Sequence, residues 1–263
     1  MQQPTLPFRS ATRWLLAALV VLASAGCASR VVPPAPLAAG SDQLVLVTTA
    51  GWDNSDATVR RYRREGGTWR QVGEPWPAII GRTGAAWGTG LHPAVAGGPV
   101  KREGDGRAPA GVFAIGDAFG YAATADTALP YRAMTAGDWC IDVPGSPLYN
   151  RIVSVQDVGA DAIVGSTEPM RRDLHKQGDA RYVLGFVIEH NTAAVPRAGS
   201  CIFAHVWKSP QTPTAGCTAM DAGHMQALLA WLDPAARPLF VLLPTPEHAR
   251  LHAAWGLPAP AGD

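Results

Sequence analysis

Short apolar runs alternate with Gly/Pro-rich breaks along the chain, and sustained 3.6-residue periodicity is rare. Gln43–Thr49 opens the body as a strand, and a turn around Trp52–Asp56 follows. Ala57–Arg63 and Thr68–Val72 are expected to pair as a hairpin, with Gly66-Gly67 at the bend. Ala78–Gly81 reads as a short apolar strand. Gly81–Gly98 reads as an ordered loop, because Trp87 and Leu91 give it something to bury. Lys101–Ile115 is a turn feeding a strand. Ile152–Gln156 and Tyr182–His190 are further strands, and Asn191–Gly199 joins the second of these to Ser200–Trp207 in antiparallel fashion. The clearest helical signal is Asp221 as N-cap, followed by Met225, Leu228, Leu229 and Leu232 and stopped by Asp233-Pro234. Leu239–Leu243 returns as a buried strand, and Glu247–Trp255 is a short terminal helix. The pattern predicts one mainly β domain over Ser41–Asp263, with no internal repeat and no second domain boundary.

The first forty residues read differently. Arg9 and Arg13 precede an unbroken apolar run, Trp14–Ala23, which is shorter than the roughly 20 residues a membrane-spanning helix needs. Met1–Gly26 is therefore expected to be an export signal. Its end, Leu22-Ala-Ser-Ala-Gly-Cys27, resembles a lipoprotein lipobox. In that reading Cys27 is lipidated and forms a membrane anchor in the periplasm of a Gram-negative-type envelope. The alternative is ordinary cleavage near Ala25 or Ala28, leaving a soluble periplasmic protein. The Pro/Ala-rich stretch from Cys27 to Gly40 then reads as a tether.

Without the signal, 20 basic residues face 21 acidic ones, since Arg9 and Arg13 are lost from the 22. That balance, with no basic run, excludes nucleic acid as an expected partner. Four cysteines are present: Cys27, Cys140, Cys201 and Cys217. A Cys140–Cys201 disulfide would leave Cys217 as a free thiol, whereas a Cys201–Cys217 bridge would consume it; spacing alone leaves both open. Metal binding through His190, His205 and the cysteines has no close-spaced ligand pair to build on, and no metal or other cofactor is expected.

The chemistry concentrates in Gly199–Met220. In a strand over Ser200–Trp207, Cys201, Phe203, His205 and Trp207 share one face, which fixes the His205 imidazole on a rigid element. A Pro/Thr-rich loop leads to Cys217, entered through Gly216. A cysteine between an imidazole and a helix starting near Asp221 is expected to have a lowered pKa and to act as nucleophile, with His205 as its base. Backbone amides around Gly216, Cys217 and Thr218 are candidates for an oxyanion hole.

These residues resemble the L,D-transpeptidase (YkuD) catalytic-domain family. The resemblance rests on Thr214-Ala215-Gly216-Cys217 after a histidine and a short spacer, and on Pro109-Ala110-Gly111-Val112-Phe113 at a strand start. It extends over about Gln43–Pro258 and includes Asp142–Arg151, a stretch that recurs in one periplasmic branch. It implies a β-rich sandwich with one helix after the catalytic cysteine and a short C-terminal helix. It also implies Cys217 as nucleophile, His205 as base oriented by a backbone carbonyl, and peptidoglycan stem peptides as substrate.

The sequence departs from the family pattern in two places. Thr218-Ala219-Met220 stands where an arginine usually follows Gly-Cys, and Ala215 stands where histidine is common. The Gly-Cys-x-Ala-Met form resembles an atypical branch that includes hydrolases, so an amine or water remains open as the group resolving a Cys217 thioester. Arg151 is one candidate for the missing carboxylate anchor. His190, Asn191, Tyr149, Asn150 and Thr214 are further candidate substrate contacts. Asp142, Tyr149, Asn150 and Arg151 are expected either to border the cleft or, equally, to form a turn held by Asn and Asp hydrogen bonds. The alternative to an enzyme is a catalytically silent lipoprotein that binds the cell wall through the same cleft.

Overall fold

The computed structural model describes residues 1–2 and 37–260; the expected signal, Cys27 and most of the tether lie outside these residues. Leu37–Gly40 belong to the folded body: Ala38 is fully buried and its amide bonds to the Trp255 carbonyl at 3.1 Å. The body thus reaches back beyond the expected boundary at Ser41, because Ala38 fills a core position.

The strands run β1 (Gln43–Thr49), β2 (Asp56–Glu65), β3 (Thr68–Gln71), β4 (Trp76–Ile79), β5 (Ala85–Trp87), β6 (Ala108–Gly120) and β7 (Tyr131–Ala133). They continue as β8 (Asp138–Cys140), β9 (Ile152–Ser154), β10 (Glu168–Pro169), β11 (Leu184–Ile188), β12 (Phe203–Val206), β13 (Thr218–Met220) and β14 (Leu239–Pro244). One-turn helices α1 (Val155–Val158) and α2 (Arg172–His175) precede the longer α3 (Ala222–Trp231) and α4 (Thr245–Trp255).

The main sheet closes on itself. Its order is β1, β14, β6, β11, β12, β13, β4 and β2, and β2 pairs back onto β1 with Gln43 opposite Arg63 and Thr49 opposite Ala57. β4 and β3 share the other edge of β2, β4 along its first half and β3 along its second. The chain is mainly β, as the hydrophobic pattern predicts, but the sheet is barrel-like rather than a two-sheet sandwich. The reason lies in β2: at ten residues it is long enough to pair with β1 on one side and with two short strands on the other.

The barrel interior is filled from several directions. β1 and β14 run parallel, Leu44 beside Leu239 through Thr49 beside Pro244, and nearly all their side chains are buried. Burial on both faces explains why they read as continuous apolar runs. α3 packs against β11 and β12, with Met225, Leu228 and Leu229 buried and Asp221 accepting the Gly223 amide at 2.8 Å as N-cap. Within β6, Gly111 sits at φ +142°, and a Cβ there would lie 1.9 Å from the His92 ring; this glycine admits an imidazole against the backbone.

Residues 121–182 cover one outer face of this barrel. They contain a small antiparallel sheet, β10-β8-β9, with Glu168 opposite Cys140 and Cys140 opposite Ile152. A disulfide joins Cys140 to Cys201, just before β12. Between cover and barrel lies a second apolar cluster containing Phe119, Met134, Met170, Tyr182, Phe203 and the three described cysteines. Phe203 belongs to it, while Ile202 and Ala204 face the barrel core, so β12 shows the alternation of a strand buried on both sides.

Candidate active site

Cys217 and His205 line one cleft under this cover. The parallel pairing of β12 and β13 sets His205 beside Ala219 and Ala204 beside Thr218. Cys217 therefore follows His205's face with a two-residue offset, about 6.6 Å along the strand. Both side chains line one cleft of about 240 Å³, together with Thr214, Ala215 and Gly216. Cys217 is the one free cysteine among the described residues, since Cys140 and Cys201 are bonded to each other.

The turn that presents the thiol is built by its own residues. A Cβ on Gly216 would stand 2.9 Å from the Arg107 carbonyl oxygen, which restricts the position to glycine. The Cys217 sulfur accepts the Phe203 amide at 3.4 Å, and its S–H donates to the Cys201 carbonyl at 3.5 Å. The Gly216 amide donates to the Thr214 hydroxyl at 3.1 Å. It is therefore not the free oxyanion donor expected of it, and the Thr218 amide is taken by the β12–β13 ladder, which leaves the Cys217 amide as the candidate.

His205 is oriented by a backbone carbonyl, with Nδ1 2.8 Å from the Val206 oxygen. That contact holds the neutral ring's proton on Nδ1 and leaves the Nε2 lone pair to accept one. Burial pushes the imidazole pKa down to about 4, with Arg181 and Arg172 adding to the effect and the Val206 bond opposing it.

The thiol behaves opposite to expectation. Burial, with Glu168 adding to it, pushes Cys217 up to about 12. The lowered pKa expected from a helix N-terminus does not arise, because β13 separates Cys217 from α3 and the helix begins only at Ala222. Thiol and imidazole are thus both neutral at neutral pH, rather than a standing thiolate–imidazolium pair.

Most other predicted contacts lie elsewhere. His190, Asn150 and Arg151 line a separate cavity of about 370 Å³, which shares Cys201 and Ile202 with the thiol cleft. His190 is structural: Nδ1 accepts the Thr89 amide at 3.2 Å, Nε2 lies 3.0 Å from the Ala198 oxygen, and burial lowers its pKa to about 4. Asn150, at φ +63°, donates to the His190 and Asn191 carbonyls and accepts the Cys201 amide at 2.9 Å. Asn191, fully buried at φ +52°, folds its own loop through Val195 and Gly199. Tyr149 is buried and donates to Glu103, which also accepts the Ser200 hydroxyl at 2.7 Å. Of the predicted contacts, Thr214, as part of the turn, and Asp142 line the thiol cleft.

The cleft also holds residues the sequence reading did not single out: Glu168, Arg172, Arg181 and Tyr182. Arg172 donates to Glu168 at 2.7 Å and to Asp179 at 2.9 Å, and Arg181 donates to Asp179 at 2.5 Å. The Tyr182 ring packs edge-on to His205, centroids 5.1 Å apart, with the Arg172 guanidinium 5.1 Å from its own centroid. The signal available in the sequence was the charge run between Arg171 and Arg181, with Glu168 and Arg172 four apart. Among the described residues no group of three or more His, Cys, Asp or Glu could hold a metal ion. No family model matches the chain, and no curated protein or solved structure matches it.

Proposed function

We propose that this protein is a cysteine acyltransferase or peptidase of the L,D-transpeptidase type. In this reading it acts on peptidoglycan stem peptides in the periplasm, has the catalytic fold of that family, and is held at the membrane by lipid on Cys27. The observation that carries the reading is the free Cys217 on a Gly-Cys turn, in one cleft with a His205 whose Nδ1 is engaged by a backbone carbonyl.

The reaction follows from the neutral pair. The Cys217 thiol passes its proton to His205 Nε2 as the sulfur bonds to a stem-peptide carbonyl carbon. The oxyanion formed faces the Cys217 amide. The C–N bond then breaks, and the imidazolium returns its proton to the departing amine. In the second half an amine or water gives a proton to His205 as it attacks the thioester, and the C–S bond breaks with reprotonation of the sulfur. An amine yields a cross-link and water yields hydrolysis. Arg172 and Arg181, rather than Arg151, supply guanidinium groups within the cleft for a substrate carboxylate.

A second reading is a silent wall-binding protein, favoured by the thiol pKa near 12. Incubating the full-length protein with muropeptides and following products by mass spectrometry separates the two. Loss of a terminal residue or a new dimer, absent with Cys217→Ala, supports the enzyme. Unchanged muropeptides with Cys217 still free support the binding protein.

A further inference from the structure

The cavity of about 370 Å³ that borders the thiol cleft takes no part in the reaction described above. The two share Cys201 and Ile202, but neither Cys217 nor His205 lines the larger one. Its volume is that of a small-molecule site. Phe119, Met134 and Val187 give it an apolar wall, and charges of both signs stand around it. Asp117 on β6 and Glu189 just after β11 supply the carboxylates, and Arg132 and Arg151 on the covering segment supply the guanidinium groups.

The backbone places these charges. Phe186 pairs with Ala118 but Ile188 pairs with Ile115, so Gly116 and Asp117 together face Val187 alone. A bulge of this kind re-aims the side chains beside it. A Cβ on Gly116 would stand 2.2 Å from Glu189 Oε1, so this carboxylate lies directly on the β6 backbone next to Asp117. Across the cavity, the Asn150 side chain donates to the His190 carbonyl at 2.8 Å, which ties the neighbouring Arg151 to the end of β11. Arg132 donates to the Ile152 carbonyl at 3.3 Å and is ion-paired with Asp138. Asp117, Glu189 and Arg151 have no ion-pair partner among the described residues. Burial, with Asp117 adding to it, raises the Glu189 pKa, and a cation between the two carboxylates would relieve that strain.

We propose that this cavity binds a small zwitterion, an α-amino acid or short peptide with an apolar side chain, its ammonium group held by Asp117 and Glu189 and its carboxylate by Arg151. Two carboxylates alone would suit any cation, and Arg151 alone any anion. Unpaired charges of both signs around one apolar-walled cavity select a molecule that carries both. Arg132 is the weaker anchor because Asp138 already occupies it. The site is independent of the role assigned to Cys217, since it shares no charged residue with the thiol cleft.

Titration calorimetry of the full-length protein with leucine, D-leucine and leucyl-leucine tests the site. Leucinamide, which lacks the carboxylate, and N-acetylleucine, which lacks the ammonium group, are the partial probes. Saturable binding is expected for at least one of the three zwitterions, about tenfold tighter than for either partial probe, the worth of one charge-assisted hydrogen bond. Glu189→Gln is expected to abolish the advantage over N-acetylleucine only, and Arg151→Gln the advantage over leucinamide only. Arg151 is exposed and Glu189 half-buried, so both variants are expected to fold. A merely structural role would weaken every probe alike. The proposal is overturned by no saturable binding of any zwitterion, by equal losses for all probes, or by losses that follow Arg172→Gln in the thiol cleft instead of Arg151→Gln. None of these readouts needs turnover, so they stand apart from the muropeptide assay.

Discussion

The Thr214 hydroxyl donates a 2.6 Å hydrogen bond to the Cys217 carbonyl while accepting the Gly216 amide, so one side chain closes the turn that presents the thiol. Thr214 is 6 % exposed, and valine of similar volume would leave both backbone groups short of a partner. Thr214→Val is expected to cost about 1–3 kcal/mol and to depress Cys217 alkylation, whereas Thr214→Ser keeps both. Denaturant melts beside alkylation rates check this. A substrate contact at Thr214 would instead raise KM with stability unchanged.

The charge states of the pair predict a pH profile. With His205 near 4 and Cys217 near 12, both groups stay neutral across the middle range. Turnover is expected to be flat from about pH 5 to 9, with its acid limb near pH 4 as His205 protonates. Alkylation of Cys217, which needs thiolate, is expected to rise about tenfold per pH unit with no plateau near neutrality. A plateau at pH 7 would mean a standing thiolate and a wrong assignment of the pair.

Acid should unfold the protein through its buried imidazoles. His190 and His205 both have folded-state pKa values near 4 against an ordinary 6.5, because burial disfavours the charged ring. The unfolded chain then binds more protons between those values, so stability is complete above pH 6.5 and falls as pH drops toward 4. Each histidine contributes about 3 kcal/mol to that loss. Melting temperature against pH measures it, and His190→Asn should flatten part of the decline.

The Cys140–Cys201 bond spans 61 residues, a loop whose closure stabilises the fold by about 4 kcal/mol on the chain-entropy account. Cys140→Ser with Cys201→Ser is expected to lower stability by that order. It should also slow Cys217 chemistry, because the Cys201 carbonyl accepts the Cys217 S–H and the disulfide fixes Cys201 beside the thiol. Denaturant titration and alkylation of the double variant, each compared with wild type, test the two effects separately.

Local elements were readable in the sequence for local reasons. Gln43–Thr49 forms β1 over the expected residues, Gly66-Gly67 turns the β2–β3 hairpin at φ +55° and +82°, and Asp221 caps α3. Each depends on side chains within a few positions of one another. The Gly216-Cys217 turn and the strand-borne His205 belong to the same class. By contrast β8 and β10 have three and two residues, too few for alternation to register, and pairing partners far along the chain hold them.

What the sequence alone determined is therefore most of the longer strands, the capped helix after Asp221 with a second terminal helix, and the pairing of a Gly-Cys turn with one histidine. Only the tertiary structure decided that the sheet closes through β2, that Cys140 rather than Cys217 takes Cys201, and that Glu168 and Tyr182 share the thiol's cleft. It also reversed the protonation of the pair. Burial depends on what the segment over residues 121–182 covers, and desolvation by that cover outweighs every local feature of the Cys217 turn.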